Sequence, residues 1–133
     1  MANEAQIKTG TQLATPSTPT VATTGGAQPY FKSALAGVVQ QVKASAGLLY
    51  GIKAVNNNAA VAYLQIFFQP AAGVTLGTTP PDMVIPLAAS ENLTDNFVAE
   101  GVGKAAGTGI SIACTTTSTG AVAGSAEVSA LFN

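Results

Sequence analysis

From residue 31 onwards, apolar and polar positions alternate in short runs that predict β-strands. In the run 48–55, Leu48, Tyr50, Ile52 and Ala54 share one face. The run 60–68 is apolar on both faces, which is typical of a central strand or of a strand whose outer face meets a partner. The three consecutive asparagines 56–58 between these runs are a turn signal, so we expect a hairpin.

The rest of this region continues the same pattern. Further strands are expected at 83–87, 108–117 and 122–132. Pro86 should place its strand at an edge or a bulge. Segment 90–98 fits a strand or a helical turn, and 31–44 could be a helix, although Gly37 and the valines favour strand. The pattern predicts an all-β fold: an antiparallel β-sandwich, either jelly-roll-like or immunoglobulin-like.

Residues 1–30 have a different character, since Thr, Pro and Gly replace the large apolar residues. Alone, such a segment cannot bury enough apolar surface to offset its ordering entropy. It is therefore either a disordered tail or an extended arm that orders against a neighbouring subunit. We expect an extended N-terminal arm over 1–30 and a β-sandwich domain over 31–133.

The aromatic and proline positions supply candidate interface residues. Tyr30 and Phe31 stand where the arm meets the domain and suit an anchor in an apolar pocket, on this chain or on a neighbour. Phe67 and Phe68 belong either to the core or to an interface. The candidate interface residues are Leu13, Pro16, Pro19, Tyr30, Phe31, Phe67 and Phe68.

Charge and composition exclude several classes of function. Charged residues make up 8% of the 133 residues, the net charge is −1, and His is absent. Nucleic-acid binding needs clustered Lys and Arg, so we expect none. A surface with so little net charge has little colloidal repulsion and favours assembly with copies of itself or with another protein.

No group of residues forms a convincing catalytic or metal site. Cys114 lies in an apolar run without a His to activate it, so we expect a buried thiol. Glu91, Asn92 and Asp95 could at most form a weak Ca²⁺ site, and their spacing matches no known loop. The Gly-rich segment 101–108 lacks the spacing and the hydroxyl of a phosphate loop. The remaining acids are scattered, at Glu4, Asp82, Glu100 and Glu127. We expect no enzyme activity and no cofactor.

Targeting signals are equally sparse. No stretch approaches the ~20 apolar residues of a membrane span. The N-terminus lacks the apolar region of a signal peptide. We therefore expect no membrane partner and a chain synthesised in a cytoplasm.

Four segments resemble small virion proteins of tailed bacteriophages. They are Gly-Leu-Leu-Tyr-Gly-Ile-Lys-Ala-Val-Asn at 47–56, Tyr-Leu-Gln-Ile-Phe at 63–67, Val-Thr-Leu-Gly-Thr-Thr-Pro-Pro at 74–81 and Gly-Ile-Ser-Ile-Ala at 109–113. Their order along the chain strengthens the resemblance, which covers about residues 45–132 and leaves out the Thr- and Pro-rich segment. The resemblance transfers no catalytic residue.

The resemblance implies a particle component, and a capsid decoration (cement) protein is the expected form. Such a protein would sit on the capsid surface of the virion as a homo-oligomer, with a trimer favoured. It would bridge neighbouring major capsid subunits through its arm and apolar surface. The alternatives are a tail, neck or baseplate component, or a receptor- or glycan-binding module at the tail tip, where the Thr-rich loop 115–120 could supply hydrogen bonds.

Overall fold

The computed structural model describes residues 28–96 and 104–133. Most of the predicted arm therefore lies outside the described residues. Within them the chain forms nine strands and one short 3-10 helix at Ala71–Gly73. The strands are β1 (Gln28–Leu35), β2 (Gln40–Lys43), β3 (Gly47–Val55), β4 (Ala62–Phe67), β5 (Met83–Leu87), β6 (Asn92–Asn96), β7 (Lys104–Ala106), β8 (Ile110–Thr115) and β9 (Ala126–Phe132).

The strands form two antiparallel sheets, as the alternation predicts. The first sheet has the order β1-β9-β3-β6, with β7 also paired to β3, and the second has the order β2-β8-β4-β5. The pairs β4·β5, β3·β6, β2·β8 and β1·β9 are nested, as in one long hairpin rolled into two sheets. This is the strand order of a jelly roll. An immunoglobulin sandwich would pair its last two strands in one sheet, whereas β8 and β9 lie in different sheets here.

Alternate residues of both sheets fill the space between them. Leu49, Ile52 and Val128 from the first sheet share one buried cluster with Leu64 and Ile112 from the second. All five have between 0% and 3% of their surface exposed. Each such side chain contributes about 1.5–3 kcal/mol when it leaves water, so this layer is the main source of stability.

Several expectations about individual strands are confirmed. The stretch 31–44 contains two strands, β1 and β2, with a break around Gly37. The ambiguous segment 90–98 contains strand β6. Pro86 lies in β5, the edge strand of the second sheet, where its missing N–H breaks no inner ladder.

Strand β1 begins at Gln28, so the domain boundary expected at residue 30 falls inside a strand.

The expected hairpin through the three asparagines is wrong. Strands β3 and β4 lie in different sheets and face each other across the core, so 56–61 is an arch between sheets. The expected face of β3 is also corrected. A β-bulge between Leu49 and Gly51 adds one residue opposite β9, so the buried positions are Leu49, Ile52 and Ala54 instead of a strict alternation.

The two outer faces of the sandwich differ. On the second sheet, Gln65, Phe67 and Ala113 alternate with the core residues of β4 and β8, yet their side chains are 0% exposed. The β8–β9 loop reaches over this face, because Gln65 Nε2 donates to the Thr117 and Gly120 carbonyls at 3.2 and 3.0 Å. The chain's own loop thus covers a face that could otherwise have met a partner.

The β4–β5 connection approaches the same face from the opposite end of the sandwich. Ser111 Oγ donates to the Gln69 carbonyl at 2.9 Å. Gly77 has φ of 81°, and a Cβ placed on it would lie 3.4 Å from that of Ala121. The two loops therefore meet at Gly77, where a larger residue would be both strained and crowded.

At one end of the sandwich, the fully buried Asn56 joins two connections. Its Nδ2 lies 2.9, 3.1 and 3.0 Å from the carbonyl oxygens of Ala60, Leu87 and Ala88. Its Oδ1 accepts the backbone N–H and the side-chain amide of Asn58, each at 3.0 Å. The Asn58 amide in turn donates to the Ser125 carbonyl at 2.7 Å, which adds a third connection.

We predict that Asn56→Ala lowers the free energy of unfolding by about 2–4 kcal/mol, because it removes the amide that lies against the buried Leu87 carbonyl and the part-buried Ala60 and Ala88 carbonyls. Urea unfolding measures the change. The matched control is Asn57→Ala at the exposed neighbour, which should stay within about 0.5 kcal/mol of wild type. Equal effects of the two substitutions would contradict the role given to Asn56.

Candidate functional site

The residues that suggested ion or phosphate chemistry are engaged in local structure or lie apart. Glu91 Oε1 accepts the Ala88 N–H at 2.6 Å within the β5–β6 turn, and Asp82 Oδ2 accepts the Phe68 N–H at 2.7 Å. Residues 28–96 and 104–133 contain no group of three or more Cys, Asp or Glu side chains that could hold a metal. Glu100 and residues 101–103 of the Gly-rich segment lie outside the described residues.

Cys114 is buried, as expected from its apolar neighbours. Its side chain is 0% exposed and belongs to the cluster between the sheets. Burial raises the pKa of the Cys114 thiol from 9.0 to about 11. A thiol that is neutral and closed to solvent is a poor nucleophile.

The candidate interface residues occupy very different environments. Phe31 on β1 is 60% exposed, while Tyr30 is half-buried against the core, where burial raises the pKa of its hydroxyl. Phe68 is also half-buried against the core. Phe67 has no exposed surface, so a partner cannot reach it while the covering loops are in place. The arm positions Leu13, Pro16 and Pro19 lie outside the described residues.

Phe31 forms one wall of an apolar groove on the outer face of the first sheet. The groove has a cavity volume of about 420 Å³ and extends across β1, β9 and β3 to β6. Leu131, 44% exposed, and Tyr50 contribute further apolar walls. We call this surface, lined by Pro29, Tyr30, Phe31, Tyr50, Gly51 and Leu131 among others, the sheet groove.

Strand register explains why a groove exists at this position. Leu131 pairs with Gly51, and Phe31 pairs with Ser129, so small residues form the floor beside large ones. The bulge in β3 leaves Tyr50 and Gly51 between the two core positions Leu49 and Ile52. Both Tyr50 and Gly51 therefore line the groove, whereas in a regular strand one of the two would face the core.

Sequence reasoning found Tyr30 and Phe31 but missed the opposite side of the groove. In β9, Leu131 lies on the face opposite the buried residues Val128 and Ala130, so the alternation of this strand could have identified Leu131 as exposed. Tyr50 could not be found in the same way, because strict alternation would have placed it with Ile52. A bulge depends on the partner strand, so its position is not visible in one strand alone.

A second apolar surface lies at the end of the sandwich that carries the β8–β9 loop. Val38, Val61 and Val122 are 66%, 45% and 67% exposed. Val61 and Ala123 line a common cavity of about 310 Å³, and Val122 precedes Ala123 in the chain. Val38 follows Gly37, and a Cβ placed on Gly37 would meet Ala123. We call these three residues the valine end.

Comparison with known proteins leaves the family of this chain open. No family model, no curated protein and no solved structure matches it. In the part of the chain that the structure describes, no helix has the length and the hydropathy needed to cross a membrane.

We predict that the buried thiol makes stability depend on pH above neutrality. The unfolded thiol ionises near 9.0 and the folded one near 11, so its contribution is complete below pH 9 and is lost as the pH rises towards 11. Compared with Cys114→Ala, wild type should lose at most about 3 kcal/mol of free energy of unfolding across that window. Urea unfolding of both proteins from pH 7 to 11 measures this difference, and parallel curves would contradict it.

Proposed function

We propose that this chain is a structural virion protein of a tailed phage, and specifically a capsid decoration protein. In this role it stabilises the head by bridging neighbouring major capsid subunits through its arm and its apolar surface. The resemblance of four segments to small phage virion proteins supports the particle role. The jelly-roll fold is compatible with it, but the same fold serves capsid proteins, lectins and cupins, so the fold alone does not decide the function.

The observation that carries the proposal is the contrast between the two outer faces. The chain covers the outer face of the second sheet with its own loops, so that even Phe67 is 0% exposed. The first sheet instead presents Phe31 and Leu131 to solvent around the sheet groove. An apolar surface of this kind marks a site of contact with another protein. It fits a molecule that works by association.

The position of the groove adds a second argument. It is lined by Pro29–Phe31 at the start of β1, so the expected arm joins the domain at the rim of the groove. In sequence, the expected arm therefore leads directly into the apolar surface. Together with a net charge of −1, this arrangement suits an oligomer that clasps several neighbouring subunits.

The tail-tip alternative receives less support from the described residues. Its proposed binding loop holds Thr115, whose Oγ1 accepts the Gln65 amide at 2.7 Å and donates to the Thr117 carbonyl at 2.7 Å. These contacts turn the Thr115 hydroxyl towards the second sheet, whereas residues 116–119 of the loop are exposed. The exposed aromatic residue, Phe31, lies on the other sheet. The capsid role is therefore our proposal.

The direct test is to add purified protein to heads of the encoding phage that lack it. We expect saturable binding, with a copy number that matches one class of symmetry points in the head lattice. The decorated heads should also resist heating better than bare heads. Electron microscopy and quantitative mass spectrometry of the particles measure both. Failure to bind heads, or presence only in the few copies typical of a tail part, would contradict the capsid role.

A pair of variants tests the surface itself. Phe31→Glu places a charge in the sheet groove and should weaken binding to heads by at least about tenfold. The matched control, Thr119→Glu, places the same charge on the exposed loop over the other sheet and should bind like wild type. Circular dichroism checks that both variants are folded. Equal binding by the two variants would remove the groove from the proposal.

A further inference from the structure

The part of the sheet groove between β1, β9 and the β3 bulge has the chemistry of a site for an extended, uncharged peptide, while Lys53 and Asp95 line its other end. Tyr30, Phe31 and Tyr50 supply aromatic surface, and Pro29 and Leu131 extend it. Gly51 and Ser129 leave room along the floor for a chain to lie close to the sheet. Aromatic-lined grooves of this kind bind proline-rich segments, because a polyproline II helix is already extended and loses little entropy on binding.

The chain itself contains a segment of matching chemistry. Residues 16–19 read Pro-Ser-Thr-Pro, which has the proline spacing that such grooves bind. No charged residue occurs between Lys8 and Lys32, so docking would bury no unpaired charge from this stretch. Eight residues, 20–27, separate this segment from Gln28, where the described chain begins, and fully extended they span at most about 29 Å.

We propose that the sheet groove of each copy binds the Pro16–Pro19 segment of a second copy. The direction of β1 favours exchange between copies. Pro29–Phe31 line the groove, whereas Gln28, which precedes them in β1, pairs with Phe132 and does not line it. To dock in its own groove, the segment would therefore have to turn back towards β1 within residues 20–27.

This exchange predicts how copies associate. Each copy contributes one segment and one groove, and the two surfaces are different. Such a contact is heterologous, and it closes into a ring when the rotation between copies allows it, as in a trimer. The inference goes beyond the proposed function, since it concerns contacts between copies and holds whether or not the assembly sits on a phage head. Residues 1–15 are left for contacts with the particle.

The test is disulfide trapping in the full-length chain with Ser17→Cys and Ser129→Cys. Position 17 lies inside the proline segment, and position 129 pairs with Phe31 on the groove floor. Cys114 is buried and should not interfere. Under mild oxidation of the purified protein, we expect disulfides from position 17 of one copy to position 129 of the next. Non-reducing gels and mass spectrometry of the peptides identify them.

The control chain carries Ser17→Cys and Ser125→Cys, which places the second thiol at the far end of the sandwich. We expect crosslinking to be at least about tenfold faster for the pair 17 and 129, because docking raises the effective concentration of the two thiols. Adding Phe31→Glu to that pair should slow it by about tenfold, whereas adding Thr119→Glu should not.

Two outcomes would overturn the inference. A disulfide within one chain would show that the segment docks in its own groove. Crosslinking no faster than in the control would show that the segment does not dock in the groove at all. Because no particle is present in this experiment, its failure leaves the head-binding test unaffected, and failure to bind heads leaves the trapping result standing.

Discussion

The structure depends on satisfying backbone groups where strands pass from one sheet to the other. In a jelly roll most connections are arches, whose carbonyl groups leave the ladders and have no strand partner. Asn56 solves this problem at one end of the sandwich, since its single amide reaches carbonyl groups of the β3–β4 and β5–β6 connections. A side chain that can both donate and accept is required there, because Oδ1 also orders Asn58. The apolar layer supplies most of the stability, and this amide links the β3–β4 connection to the end of β5 and the β5–β6 connection.

The second sheet shows the same use of neutral polar groups. Gln65 ties the β8–β9 loop to the sheet through one amide nitrogen, although its Oε1 is buried without a hydrogen-bond partner. An unpaired acceptor has a cost, and the burial of Phe67 beneath the covering loops offsets it. One consequence is that the chain closes this face without ions. The other is that, of the two outer sheet faces described, the first keeps the apolar groove open to solvent.

The fold class could be predicted from the sequence because the alternation of apolar and polar residues along a strand indicates which of its faces is buried. This pattern is contained in each strand by itself. The strands β4, β8 and β9 could be predicted for this reason, and the structure buries Ile112 and Val128 within the expected ranges 108–117 and 122–132. Partner choice is not local. The sequence of the arch after β3 predicts a hairpin turn, because three asparagines fit a hairpin and an arch equally well. Whether β3 and β4 pair in one sheet or pack face to face depends on their apolar faces. Only part of the groove could be predicted, for the same reason. Phe31 was found from its position between the arm and the domain, whereas the exposure of Tyr50 depends on a bulge opposite β9.

The nesting of the strand pairs also orders events during synthesis. Each inner pair shortens the loop that the next outer pair must close, so pairing can proceed from β4·β5 outwards to β1·β9 at a modest entropic cost per step. Ser129 and Leu131, which form part of the groove, belong to β9, the strand made after all the other described strands. A nascent chain therefore exposes its N-terminal segment long before it has a groove to offer. Under the proposed exchange, two unfinished chains therefore cannot dock in each other before β9 has been made.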